Sequence, residues 1–153
     1  MNKTDFLVTA KTNNIFAVIG REELESCLND FPDGLVLISI TDPELKHVET
    51  NTKFVDELKL KFWDVEEEFL RFCPIHPLQA KQIKDFILLH KYKKFLINCE
   101  AGISRSAGIA CAIEVLLRDT YLFPKESHVV SKIRQHWRYD VNNYVYKSII
   151  EAK

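Results

Sequence analysis

The pattern of elements predicts a single α/β domain, residues 1–153, built on a central, mainly parallel (mixed) sheet of four to five strands flanked by helices. Three observations carry this expectation. Leu35-Val36-Leu37-Ile38-Ser39-Ile40 is a continuous apolar run between turn signals, as expected of a strand buried on both faces. A second run, Phe95-Leu96-Ile97, leads through a short loop into small and aliphatic residues at helical spacing from Ala107 to Leu117. Amphipathic segments of helix length come before and after that unit. With 153 residues and 46% hydrophobic content, the chain can bury one good core and is too short for two ordinary domains.

Taken in order, Phe6-Leu7-Val8-Thr9 and Ile15-Phe16-Ala17-Val18-Ile19 are β-rich runs joined by the turn-like Lys11-Thr12-Asn13-Asn14, which suggests two strands in a hairpin. Gly20 to Asn29 is charged, with Leu24, Cys27 and Leu28 at helical spacing and Cys27 facing the core. Phe31-Pro32-Asp33-Gly34 stops it. The strand Leu35–Ile40 should sit centrally and closes at Thr41-Asp42-Pro43. His47 to Lys53 is a loop or short helix with His47 solvated. Leu58 to Val65 alternates and then breaks at Trp63-Asp64, as a strand does when it delivers its end to a loop. Phe69, Leu70 and Phe72 either pack beneath that loop or line a cleft, and Cys73 reads as a packing residue.

His76-Pro77 opens a helix to about His90, with Leu78, Ile83, Phe86, Ile87 and His90 near one face. Lys91-Tyr92-Lys93-Lys94 is a charged turn. After the helix that ends near Arg118, Tyr121 to Pro124 marks a break and Lys125 to Arg138 a further amphipathic helix anchored by Trp137. His128 and His136 have no Asp or Cys at metal spacing. A last helix, Asn142 to Ala152, places Tyr144, Val145, Ile149 and Ile150 for packing, with Asn142-Asn143 as caps.

The chemistry concentrates in Cys99-Glu100-Ala101-Gly102-Ile103-Ser104-Arg105-Ser106. A loop that ends at a helix N-terminus presents unpaired N–H groups and the positive end of the helix dipole, and phosphate is the obvious anion for it. Gly102 permits close backbone approach, and Arg105 offers a planar fork for two phosphate oxygens. The same positive groups favour a thiolate at Cys99, a strong nucleophile. Ser106 can donate a hydrogen bond to that sulfur. A buried packing cysteine would need neither Gly102 nor Arg105.

These residues resemble the C-x5-R-S/T signature of the cysteine-dependent protein phosphatases, and CEAGISRSAG is most similar to the loop of the small dual-specificity-like and atypical members. The resemblance covers roughly residues 35–150. It implies the tyrosine phosphatase-like fold, a phosphate loop formed by Glu100, Ala101, Gly102, Ile103, Ser104 and Arg105, and catalysis by Cys99, Arg105, Ser106 and an aspartic acid a few dozen residues upstream. Phe62-Trp63-Asp64-Val65 resembles the acid segment, which makes Asp64 the expected general acid. A leaving alkoxide or phenoxide must be protonated as its P–O bond breaks. Glu66, Glu67 and Glu68 are rivals, and all four acids also read as a solvated surface run. The sequence departs from the family at Asn98, where histidine usually precedes the nucleophile. An amide there can hydrogen-bond but adds no positive charge.

The implied activity is hydrolysis of phosphotyrosine, with phosphoserine/threonine also open, on a phosphoprotein substrate without metal or cofactor. A phosphate-binding module without turnover and an RNA 5′-triphosphatase are the alternatives. Net charge of −1 and a pI near 6.5 give no electrostatic footprint for nucleic acid or an anionic membrane. The start lacks the apolar core of a signal peptide and no run has the length of a membrane span, so the cytosol is the expected compartment. Cys27, Cys73, Cys99 and Cys111 form no C-x-x-C pair. Cys73 is the candidate resolving thiol should Cys99 be oxidised.

Overall fold

In the computed structural model of the protein, which describes residues 14–117, 133–134 and 138–153, the apolar runs form β1 (Ile15–Gly20), β2 (Leu35–Thr41), β3 (Asp56–Lys61) and β4 (Lys94–Cys99). They make one sheet in the order β1-β4-β2-β3, with every pair parallel. The expected sheet is thus confirmed with four strands, and it is wholly parallel rather than mixed among the described residues. Parallel strands need crossover connections, and α1 (Arg21–Cys27), between β1 and β2, and α2 (Pro77–Leu89), between β3 and β4, supply two of them. β1 pairs with β4. Phe6–Thr9, the expected hairpin partner, lies outside the described residues.

Side-chain alternation divides the core into two layers. Val36, Ile38 and Ile40 of β2, with Phe95, Ile97 and Cys99 of β4, pack against α2, α3 (Arg105–Leu117) and α4 (Asn143–Glu151). Leu35, Leu37 and Leu96 face the other way, onto Leu24 of α1 and onto Phe31, Val48 and Phe54. β2 is buried along its whole length, as its unbroken apolar run requires. β3 is the half-exposed edge: Leu58 and Leu60 reach the larger layer, while Lys59 on the other face donates to Val48 O at 2.8 Å.

α2 begins where His76-Pro77 predicts. His76 Nδ1 accepts from Leu78 N at 3.0 Å, Gln79 Oε1 accepts from His76 N at 2.9 Å, and Pro77 occupies a position with no N–H to satisfy. Its buried face is Ala80, Ile83, Phe86 and Ile87; Leu78, expected there, is instead exposed because the helical step of about 100° per residue puts it roughly opposite Ala80 and Ile87. Tyr144 of α4 is likewise exposed, and Val145 and Ile149 carry the packing. Cys27 is only half-buried against the smaller layer. His47 is half-buried rather than solvated, and burial with Lys61, Lys59 and Arg21 nearby lowers its pKa. The helix expected over 125–138, with His128, His136 and Trp137, falls outside the described residues apart from 133–134 and Arg138.

Parallel pairing brings the C-terminal ends of all four strands to one edge. Gly20 is in register with Cys99, and Ser39 with Asn98. The turn at 91–93 is at the opposite end of β4. The C-terminal edge of a parallel sheet is where strands hand over to loops and helix N-termini, and therefore where ligands gather in such folds.

Candidate active site

The loop from Cys99 to Arg105 joins the end of β4 to the start of α3, as its sequence predicts. Three of its carbonyls are turned outward and held. Glu100 O accepts from Arg21 N at 3.0 Å, Ile103 O from Asp140 N at 3.0 Å, and Ser104 O from Asn142 N at 3.1 Å and from Gly108 N at 3.0 Å. In a trans peptide the N–H points opposite to the C=O. The N–H groups of Ala101, Ser104 and Arg105 therefore face the hollow of the loop, at the positive end of α3. Backbone alone makes that hollow attractive to an anion.

Gly102 closes the loop. Its φ is +70°, a left-handed conformation, and a Cβ there would fall well inside contact with Gly20 N and Ile19 C at the end of β1. Close backbone approach was expected at Gly102, and the structure shows its object: the loop is pressed against the neighbouring strand. The Gly20 side matches, since a Cβ on it would lie 3.0 Å from the Ala101 carbonyl carbon.

Cys99 is buried at the base of the loop, with Sγ 3.1 Å from Ser106 Oγ. Arg105 is the first residue of α3, and its side chain is 5% exposed, so a bare guanidinium charge there requires a partner. Nη1 has two: Asp42 Oδ1 at 2.7 Å and Phe62 O at 2.7 Å. Nε is buried and has no acceptor among the described residues. The guanidinium is thus held by one nitrogen from behind, and its Nε–Nη2 edge is the fork left for a ligand.

Asp42 is the residue that sequence reasoning missed here. It was read only as part of the turn closing β2, although an acid at the C-terminal end of a buried central strand could have drawn attention. Asp42→Asn keeps the shape but removes the charge opposing Arg105. We expect stability to fall by roughly 1–3 kcal/mol, as for a buried guanidinium that loses its charged partner. Urea denaturation checks it; an unchanged stability would deny Asp42 this role.

Glu100 turns its carboxylate away from the hollow, 3.2 Å from Arg21 Nη1 and 3.3 Å from Asp42 N. Ala101 and Ile103 leave their side chains exposed at the rim. Asn98, just before the cysteine, points to the opposite face of the sheet from Cys99, as alternation requires. Its Nδ2 donates to Cys99 O at 3.3 Å, and Oδ1 is buried without a partner among the described residues.

Asp64 stands on the loop after β3. Its Oδ1 accepts from Ser104 Oγ at 2.9 Å and from Asn142 Nδ2 at 2.9 Å, so the structure brings this carboxylate onto the Cys99–Arg105 loop. The rivals are held differently: Glu66 Oε1 accepts from Asn143 N at the start of α4 at 3.0 Å, Glu67 lines the same cleft as Asp64, and Glu68 is exposed. The aromatics divide between the two expected arrangements. Phe72 packs edge-on against Trp63 with ring centroids 4.8 Å apart, while Phe69, 64% exposed, helps line a cleft of about 560 Å³ together with Asp64, Glu67, Ser104 and Asn142. Cys73 is exposed on this loop, not packed. Cys111 is buried within α3, and burial pushes its thiol up to about 11, so it is no rival nucleophile near neutrality.

No protein-family model matches the chain, and no curated protein is similar to it in sequence. Solved structures are similar in fold. Tk-PTP in its active form is 23% identical, with 90% of each chain covered and a TM-score of 0.53. Human DUSP28 is 16% identical over 86% of each chain with a TM-score of 0.52. The human tyrosine phosphatase-like serine/threonine/tyrosine-interacting protein is 19% identical, over 90% of this chain and 86% of that one, with a TM-score of 0.51. This is the fold of the tyrosine and dual-specificity phosphatases. Within the phosphatase-like fold, no helix among the described residues is long and apolar enough to cross a membrane. No group of three or more candidate metal ligands occurs among them either.

Proposed function

We propose that the chain is a cysteine-dependent phosphomonoester hydrolase acting on phosphoprotein, with phosphotyrosine as the lead substrate and phosphoserine/threonine also accepted. The observation that carries this reading is the Arg105 guanidinium, anchored through Nη1, with its buried Nε unpaired among the described residues, at the end of a loop of inward N–H groups that begins at Cys99. A packing arginine would have spent that edge on protein acceptors. The phosphate oxygens sit on the loop N–H groups and the Nε–Nη2 fork, which stabilise charge as the transition state forms.

Cys99 Sγ attacks phosphorus in line with the leaving oxygen, and the S–P bond forms as the P–O bond breaks. Asp64 protonates that oxygen. The cysteinyl-phosphate is then hydrolysed by water that gives its proton to the same carboxylate, and Ser106 Oγ–H stabilises the departing sulfur. Nucleophile, acid and anion holder all come from the chain, so the scheme needs no metal or cofactor. Reduced thiols suit a cytosolic location, and all four cysteines are free. Glu66, Glu67 and Asp140 line the cleft beside Asp64 and disfavour a polyanionic substrate such as an RNA 5′ end.

The test is hydrolysis of a small aryl phosphate by the wild-type chain in the presence of a chelator, with acid quenching to trap the intermediate. Turnover and a phosphoryl adduct on the Cys99 peptide are expected. No turnover combined with phosphopeptide binding would replace this reading with a phosphate-binding module, which Asn98 in place of the usual histidine favours.

A further inference from the structure

Asn142 lies where three parts of the site meet, and it is only 3% exposed. Its Oδ1 accepts from Val145 N at 3.0 Å, which caps α4. Its backbone N–H donates to Ser104 O in the phosphate loop at 3.1 Å. Its Nδ2 donates to Asp64 Oδ1 at 2.9 Å and to Val65 O at 3.4 Å in the acid loop. Capping needs only the acceptor, and Asp or Ser would serve α4 about as well. The amide nitrogen is surplus to the helix, and its work is done at Asp64.

Both donors to Asp64, from Ser104 and from Asn142, converge on Oδ1. An oxygen that accepts two hydrogen bonds has little room to carry a proton of its own, so the acid form of Asp64 bears its proton on Oδ2. We propose that Asn142 is a positioning residue that holds the acid loop against the phosphate loop and assigns the transferable proton to Asp64 Oδ2. This rests on the reading of Asp64 as the general acid. In the step concerned, the S–P bond forms, the P–O bond breaks with its electron pair going to the leaving oxygen, and that oxygen takes the Oδ2 proton. Holding the donor in place matters most when the leaving group is a poor one, because a good leaving group departs as its anion without help.

The experiment compares phenyl phosphate, a poor leaving group, with nitrophenyl phosphate, a good one, in wild type, Asn142→Asp, Asn142→Ser, Asp64→Asn and the Asp64→Asn/Asn142→Ser double variant. Asp and Ser retain the α4 cap, and equal melting temperatures verify that the fold survives. Both Asn142 variants are expected to lose kcat on phenyl phosphate at least about tenfold more than on nitrophenyl phosphate, part of the 10²–10⁴ that acid catalysis supplies, with KM little changed. The double variant should then be no slower than Asp64→Asn alone, since the two residues act as one unit. Equal losses on both substrates, or additive losses in the double variant, would overturn the role of Asn142 and leave the phosphatase reading intact. An Asp64→Asn variant as fast as wild type on phenyl phosphate would overturn the acid assignment and this proposal with it. Absence of turnover in wild type would instead remove the phosphatase reading itself.

Discussion

Cys99→Ser is expected to abolish turnover of a small aryl phosphate, by on the order of 10⁴ or more, while leaving phosphate binding nearly intact. The two halves of this expectation have different causes. Turnover requires an anionic sulfur to form the S–P bond, and a serine hydroxyl at the same place has no adjacent base among the described residues: its neighbour is Ser106 Oγ, 3.1 Å from the present sulfur. Binding uses the inward N–H groups and the Arg105 edge, neither of which depends on the sulfur. Parallel measurements of kcat and of phosphopeptide affinity decide the matter. Retained turnover in the serine variant would assign the chemistry to another residue, and a simultaneous collapse of affinity would mean that the loop is built around the thiolate rather than around the arginine.

Gly102→Ala should be the most damaging small substitution in the loop. Two effects add. A left-handed backbone at φ +70° costs a residue with a Cβ about 1–2 kcal/mol, and the new methyl would press on Gly20 N and Ile19 C, backbone atoms of β1 that cannot swing aside as a side chain would. Together these predict destabilisation of roughly 3 kcal/mol or more. Relief would come by pushing the loop off β1, which would turn its N–H groups out of line and strand Arg21 N and Glu100 O, now paired at 3.0 Å. Urea denaturation measures the loss of stability, and phosphate binding measures the loss of the cradle. A variant of wild-type stability that still binds phosphate would show that the approach to β1 is slack. Gly34 is the internal control: its φ is +91°, but nothing lies within 4 Å of a Cβ there, so Gly34→Ala feels only the backbone part.

Asp42 and Asn142 differ from these in kind. Each supports a group that would touch the substrate: Asp42 steadies Arg105 from behind, and Asn142 steadies Asp64 from the side. Their partners lie far away in sequence, and neither is separated by a spacing that a motif could record. Arg21, which pairs with Glu100 and keeps that carboxylate out of the hollow, belongs with them. These contacts make the site one connected structure drawn from the ends of β1, β2, β3 and β4 and the start of α4.

By itself the sequence determined the parts whose signals are local. A short unbroken apolar run between turn signals reads as a strand buried on both faces, so β2 and its central place and the strand β4 were legible, as was α2 from His76-Pro77 and its apolar periodicity. The strand–loop–helix unit was legible for the same reason: Cys99, Gly102, Arg105 and Ser106 serve one turn of chain, and their spacing is their geometry. What only the tertiary structure decided is whatever depends on which segments meet. Parallel pairing of β1 with β4 brings Gly20 beside Gly102; the end of β2 delivers Asp42 to Arg105; and the cap of α4 delivers Asn142 to Asp64. The exposure of Leu78, Tyr144 and Cys73 was decided in the same way, because an apolar side chain is buried only where another element arrives to cover it.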